Sequence, residues 1–257
     1  MNNTLLKGLA ILELLSHSDC PLTLTQIAAE LGLAKSNAHR LLKALMETRF
    51  VLRDERDATY TPSIRLWELG SGALGKLDLR RHAESHMESL LEKTGESVHL
   101  SVLDRLEVVY VHKVDSRNPV RAYTQIGGRA PAHCVATGKV QLAFLGAARL
   151  EQVSLGLKRF TERTICDPLA FLREMERIRH KRIALNRCEW RASVQGIAAP
   201  IMDARGSVIA AVGISGPTGR FKRTVVPLWS EFVAEAGWNI SHALGGGNLA
   251  SISLRGR

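Results

Sequence analysis

The sequence predicts an α+β protein in which short helices come first and a sheet follows, and three observations predict it. Residues 24–47 hold two short amphipathic stretches joined by a glycine turn. Residues 50–61 hold two strand-like runs around a charged turn. Beyond residue 79, strand and helix patterns are interspersed and several strands pair as hairpins, which argues against a doubly wound parallel sheet. With 257 residues, 45% hydrophobic and 23% charged, the chain can build one large domain or two ordinary ones.

The elements follow in order. Leu5 to Leu15 reads as a helix with Leu5, Leu9, Leu12 and Leu15 along one side. The stretch SHSDCP breaks it at Pro21. In TLTQIAAELG, Thr23 and Gln26 have capping-box spacing, so hydroxyl and amide can satisfy free backbone N–H groups reciprocally. Ile27, Ala28 and Leu31 give this short helix an apolar face, and Gly32 stands where a left-handed residue closes it. The next helix, within AKSNAHRLLKALMETRF, turns Ala38, Leu41, Leu42 and Leu45 inward and Ser36, Arg40 and Lys43 outward, with Asn37 and His39 on its flanks. Two short helices across a tight turn form a helix-turn-helix. Phe50–Leu52 and Thr59–Thr61 then read as a hairpin, RDERDA as its turn, and the hairpin serves as a wing. These pieces predict a winged helix-turn-helix over residues 1–62.

A wet face on a short helix is either plain solvated surface or a set of donors for a DNA groove, and the surrounding grammar favours the second. Lys35 and Ser36, at the positive end of their helix, suit phosphate. Asn37, His39 and Arg40 suit base edges, Arg40 as a fork for guanine, while a half-buried structural role for His39 weighs equally. Thr25, Gln26 and Lys43 join them, and Arg53 and Arg56 on the wing suit the backbone or the minor groove. A winged helix that only contacts proteins remains an alternative, and it would show no salt-dependent DNA affinity. The net charge of +10 does not locate the DNA site. Residues 1–77 hold 9 Lys and Arg against 8 Asp and Glu, so the excess lies downstream.

Residues 63–78 read as a linker helix with Ile64, Trp67 and Leu74 on one side. Gly70, Gly72 and Gly75 permit either close helix–helix approach or a flexible joint. Residues 79–245 form a second domain. Its first helix faces Ala83, Met87, Leu90 and Leu91 inward and stops at Gly95; a hairpin turns near Asp104 and Arg105. Asp167 and Pro168 open another helix, two apolar strands turn between Asp203 and Gly206, and a helix over about 222–244 carries Val225, Trp229, Phe232, Val233, Ala236 and Ile240 inward. Residues 246–257, after three glycines, read as a disordered tail.

Two stretches here bear on chemistry. GGRAPAHCVATGKVQLAFL runs a proline loop into a helix beginning near Thr137, Gly138 and Lys139. GISGP ends an apolar strand in small residues with Ser215 as a free hydroxyl. Together they suit a compact pocket for a small organic acid; ordinary tight turns are the plain alternative, and Lys139 reads more simply as a solvated lysine. The competing class is an enzyme using Cys134 as nucleophile with His133 as base. Neighbours on a strand point apart, however, and the chain lacks GxSxG, a phosphate loop and HExxH. Cys20, Cys134, Cys166 and Cys188 form no CxxC, which fits reduced thiols in a cytoplasmic protein and calls for no metal. No apolar run is long enough for a membrane span, and the N-terminus is a poor signal peptide.

Over about residues 5–245 the chain resembles IclR-family transcriptional regulators. The resemblance rests on LKGLAILELL, LTQIAAELGLAKSNAHRLLKAL, TGESVHLSVLDRLEVVYVHKV, APAHCVATGKVQLAFL and GIAAPIMDARGSVIAAVGISGP. It implies a winged helix-turn-helix, a linker helix and a GAF-like α/β effector-binding domain. It implies homodimers or homotetramers on palindromic double-stranded operators, a small carboxylate or aromatic effector, and no cofactor. By position it assigns recognition to Lys35 through Arg40 and a DNA approach to Lys7. It lines the effector pocket with His133, Ala136, Thr137, Gly138, Asn186, Glu189, Gly196, Gly213 and Ser215. Asn186 stands where an acidic residue is frequent, Ser193 where glycine is usual, and Gly196 where cysteine is common.

Overall fold

The computed structural model describes residues 3–75 and 79–245, which divide into two compact units, Met1–Leu77 and Asp78–Arg257. The first unit runs α1 (Asn3–His17), β1 (Leu22–Thr23), α2 (Leu24–Glu30), α3 (Lys35–Glu47), β2 (Val51–Asp54), β3 (Thr59–Pro62) and α4 (Ile64–Gly75). The expected capping box forms: Thr23 N–H donates to Gln26 Oε1 at 2.9 Å and Gln26 N–H donates to Thr23 Oγ1. Gly32 takes a φ of 60°, as the tight turn into α3 requires. A strand that local pattern does not show, β1, pairs with β3 and makes the wing hairpin a three-stranded sheet in the order β1-β3-β2.

Ile11, Leu15, Ile27, Leu42, Val51 and Tyr60 form the core of this unit. The apolar side expected of α1 is thereby corrected. Ile11 and Leu15 are buried, whereas Leu5 and Leu9 are more than half exposed. Ile64 and Trp67 of α4 are likewise open, at 69% and 67%. The side chains of residues 70–78, including the three glycines weighed as a joint, lie outside what is described, as does the expected tail at 246–257.

The second unit runs α5 (Leu79–Thr94), β4 (Ser97–Asp104), β5 (Glu107–Val114), β6 (Arg129–Pro131), α6 (Ala136–Leu142), α7 (Ala147–Ser154), α8 (Pro168–Lys181), β7 (Ala184–Arg187), β8 (Val194–Met202), β9 (Val208–Pro217) and α9 (Val226–Ala243). Its antiparallel sheet has the order β6-β5-β4-β9-β8-β7. Asp167 caps α8, its carboxylate accepting from Ala170 N–H at 2.7 Å.

Apolar cores lie on both faces of this sheet. Ile197, Ala199, Ala210 and Val212 pack with α5 and α9, while Ala198 and Ala211 pack with α6, α7 and α8. Burial on both faces explains why β8 and β9 read as continuous apolar runs rather than alternating ones. Three alternate positions of β4 carry polar residues that are nonetheless buried, Ser97, His99 and Ser101. They lead to the site below.

Candidate functional site

α3 presents Ser36, Arg40 and Lys43 along one exposed side, with Ala38, Leu41 and Leu42 buried behind them. Lys35 and His39 are exposed too, and Asn37 is half-buried. Exposure of His39 removes the alternative of a half-buried structural histidine. Ala34 supplies no side-chain cap, so no side chain satisfies the first N–H groups of α3. Arg40 is only loosely restrained, its Nη2 lying 3.4 Å from Asn37 Oδ1. Thr25 and Gln26 are exposed on α2, although the Gln26 oxygen is already engaged by the capping box. On the wing, Arg53 lies over the Tyr60 ring at 5.9 Å and near Glu55 at 3.7 Å. Asp54 orders the tip by accepting from Arg56 N–H at 2.8 Å. Lys7 is half-buried on α1.

The second unit holds a small cavity of about 40 Å³. Of the residues expected to line a pocket, Ala136, Thr137, Asn186, Gly196 and Ser215 form its wall together. The wall also includes residues that sequence reasoning missed: His99, Tyr110, Trp190 and Arg191, with Ala122, Tyr123 and Thr124 from the segment between β5 and β6. His99 is held at both ring nitrogens, Nε2 to Ser215 Oγ at 2.6 Å and Nδ1 to Thr124 Oγ1 at 3.0 Å. Burial lowers its pKa to about 4, so the ring is neutral and each hydroxyl orients to suit it. Burial likewise pushes the Tyr110 phenol up to about 12. Arg191 is exposed and stacks on the Trp190 ring at 4.6 Å, a cation at a partly aromatic wall.

Four expected lining residues are placed elsewhere, each for a physical reason. A Cβ at Gly138 would fall 2.3 Å from the Ala132 carbonyl oxygen, so this glycine serves close backbone packing. Its N–H and that of Lys139 both donate to Val135 O rather than to a ligand. At Gly213 a Cβ would lie 2.5 Å from Ile197 O across the β8–β9 pair. His133 Nε2–H donates to Lys158 O at 2.9 Å, and the residue lines a separate hollow with Phe160. Glu189 is engaged from behind the wall. Its carboxylate receives Lys139 Nζ at 2.8 and 2.9 Å, and its N–H donates to Asn186 Oδ1.

Lys139 is therefore not solvated; it is fully buried. Its ammonium also donates to Leu185 O at 2.9 Å and lies 3.1 Å from Glu174. Burial raises the Glu189 carboxyl, opposed by Lys139. At Glu174, burial acts upward too, but Arg177 and Lys139 prevail and hold it at about 2. These charges support α6 and β7 against each other. Cys134 is buried, and burial first, with Glu189 and Cys166 adding, pushes its thiol up to about 12. A thiol that stays protonated at neutral pH is a poor nucleophile. Among the described residues no group of His, Cys, Asp or Glu is arranged to hold a metal ion, and no helix is long and apolar enough to cross a membrane.

A winged helix-turn-helix followed by an α/β unit with a small pocket points to the class of transcriptional regulators that join a DNA-binding domain to an effector domain. Comparison with known proteins agrees. Residues 4–55 match the IclR helix-turn-helix domain and residues 71–242 the bacterial transcriptional regulator IclR C-terminal domain. The HTH-type transcriptional regulator XynR of Escherichia coli is 32% identical over 241 residues, covering 93% of this chain and 96% of that protein. The crystal structure of Thermotoga maritima IclR superposes with a TM-score of 0.80 at 31% identity, covering 95% of this chain and all of that one. An IclR homologue from Microbacterium hydrocarbonoxydans, crystallised with 4-hydroxybenzoate, superposes with a TM-score of 0.83 at 28% identity over 94% and 99% of the two chains. The chain belongs to the IclR family. That family is regulatory rather than catalytic, and the reading of Cys134 as a nucleophile is dropped.

Proposed function

We propose that this regulator binds a palindromic operator as a homodimer and that a small aromatic or aliphatic carboxylate in the second unit's cavity changes that binding. The DNA contacts are assigned to Lys35, Ser36, Asn37, His39, Arg40 and Lys43 of α3, with Thr25, Gln26, Lys7 and the wing arginines Arg53 and Arg56 on the backbone. Support for a dimer comes from apolar side chains left open on two helices of the first unit, Leu5, Leu6 and Leu9 on α1 and Ile64, Trp67 and Leu69 on α4. Two copies would place two recognition helices on the half-sites of a palindrome.

The observation that carries the effector reading is the cavity's chemistry. Tyr110 and Trp190 offer flat apolar surface, Ser215, Thr137 and Asn186 offer polar atoms, and Arg191 offers a cation for a carboxylate. The 4-hydroxybenzoate held by the Microbacterium relative belongs to that class of ligand. A cavity of about 40 Å³ is too small for such an acid. We read entry as a displacement of the segment at Ala122–Thr124, which is tied by Thr124 to His99, by Lys113 Nζ to Thr124 O at 3.0 Å, and by Lys113 lying 5.7 Å from the Tyr123 ring centroid. Effector binding that breaks these ties couples occupancy to a structural change.

The test is to titrate 4-hydroxybenzoate and related small carboxylates into the protein–operator complex and follow DNA release or tightening. At least one acid should shift operator affinity in the parent. Arg191→Ala and Ser215→Ala should bind the operator normally and lose the response. An operator affinity that no such acid moves would remove the effector class proposed here.

A further inference from the structure

A third hollow opens at the β7 edge of the sheet beside the start of α9, and at about 490 Å³ it is much roomier than the first. Arg163, Arg187 and Arg223 stand around it, and its wall contains no carboxylate. Among the described residues none of these three guanidiniums has an ion pair or a side-chain hydrogen bond. Elsewhere in the same unit Arg129, Arg177 and Arg220 are each held by carboxylates. All three are exposed, so water and salt screen their mutual repulsion, and an oxyanion seated between them would relieve what remains. The second observation is independent of the arginines. The 18-residue helix α9 begins here with Val226 and Pro227 on the wall; Val226 N–H already donates to Lys222 O and Pro227 has no N–H, so the helix contributes the field of its positive end rather than a free donor. The positive end of a long helix thus adds to the same field. Leu185 and Phe221 give the hollow apolar surface, and the Gln195 amide lies on its wall.

The geometry points to a binding site for a compact metabolite carrying two or more oxyanion groups, carboxylate or phosphoryl, held between the three arginine forks. Planar guanidiniums donate to such oxyanions in bidentate fashion, and an apolar floor takes the carbon skeleton. A concave wall of this kind suits a small molecule better than a duplex backbone, which needs cations strung along an extended surface. Asn186 and Gly196 belong to the walls of both this hollow and the smaller cavity. The site nevertheless stands whether or not that cavity takes an effector.

Titration calorimetry on the full chain tests it, with citrate and inorganic pyrophosphate as probes and sulfate as the control, in about 0.15 M salt. Saturable binding of one probe per chain is expected, about tenfold or more tighter than sulfate and weakened about tenfold or more in Arg187→Gln/Arg223→Gln. The stronger probe identifies carboxylate or phosphoryl chemistry. Unchanged circular dichroism checks the fold of the double variant, and Arg163→Gln gives a second reading if that variant misfolds. The site is overturned by no saturable heat with either probe, by equal binding of sulfate, or by binding that survives the substitutions. It is also overturned if the substitutions weaken only DNA retention, because the patch would then serve nucleic acid.

Discussion

Arg40 and Lys35 sit five residues apart on the same helix, about one and a half turns, and should fail in different ways. A base-reading Arg40 replaced by alanine should weaken a specific operator by about 1–3 kcal/mol and random DNA far less. Equal losses on both would remove its assigned role. Lys35→Ala should weaken all DNA alike and reduce the salt slope by about one charge. His99 gives a pH signature. Its folded pKa of about 4 lies below the ordinary 6.5, so between those values the unfolded chain takes up a proton that the folded chain does not. Stability from this group is fully present above pH 6.5 and is lost as pH falls toward 4, by about 2 kcal/mol at pH 5. Urea midpoints near pH 7 and pH 5 should therefore differ less in His99→Gln than in the parent; equal differences would contradict it. The exposure of Arg40 was legible because helical period alone sets it. Lys139 and His99 were not legible, since a lone polar residue in a sequence does not reveal the distant carboxylate or hydroxyl that allows it to be buried.

The helix ends were the most legible elements. Thr23 with Gln26, and Asp167 with Pro168, carry their partners within four residues, so local pattern suffices. β1 and β6 were missed because runs of two and three residues have no readable period, and only pairing with β3 and β5 makes them strands. On α1, period located the apolar residues but could not divide them between core and open surface. At α6, an element seated on buried charge, Lys139→Met should cost about 3–5 kcal/mol because it strands Glu189 without its counter-ion. Lys43→Met on exposed α3 should barely move the melting temperature, and comparable losses for the two would refute the buried network. Gly138→Ala should lower stability through the clash with the Ala132 backbone rather than act through an effector.

For the whole molecule, the order of the two units was readable from the change of pattern after residue 78, and the family resemblance extended it to function. What the second unit binds was less readable, because its cavity wall draws on β4, β5, α6, β7, β8, β9 and the segment before β6. Trp67→Glu tests assembly. It should shift sedimentation toward monomer and abolish tight operator binding with helix content unchanged, and an intact dimer would relocate the interface. The most direct measurement is selection of genomic fragments on the full chain, followed by titration of the best fragment and a shuffled copy across a salt series. A groove-reading α3 predicts a preference of about a thousandfold or more for the selected fragment, with both affinities falling as salt rises. Equal affinities for the two, or no retention of DNA even in dilute buffer, would contradict it.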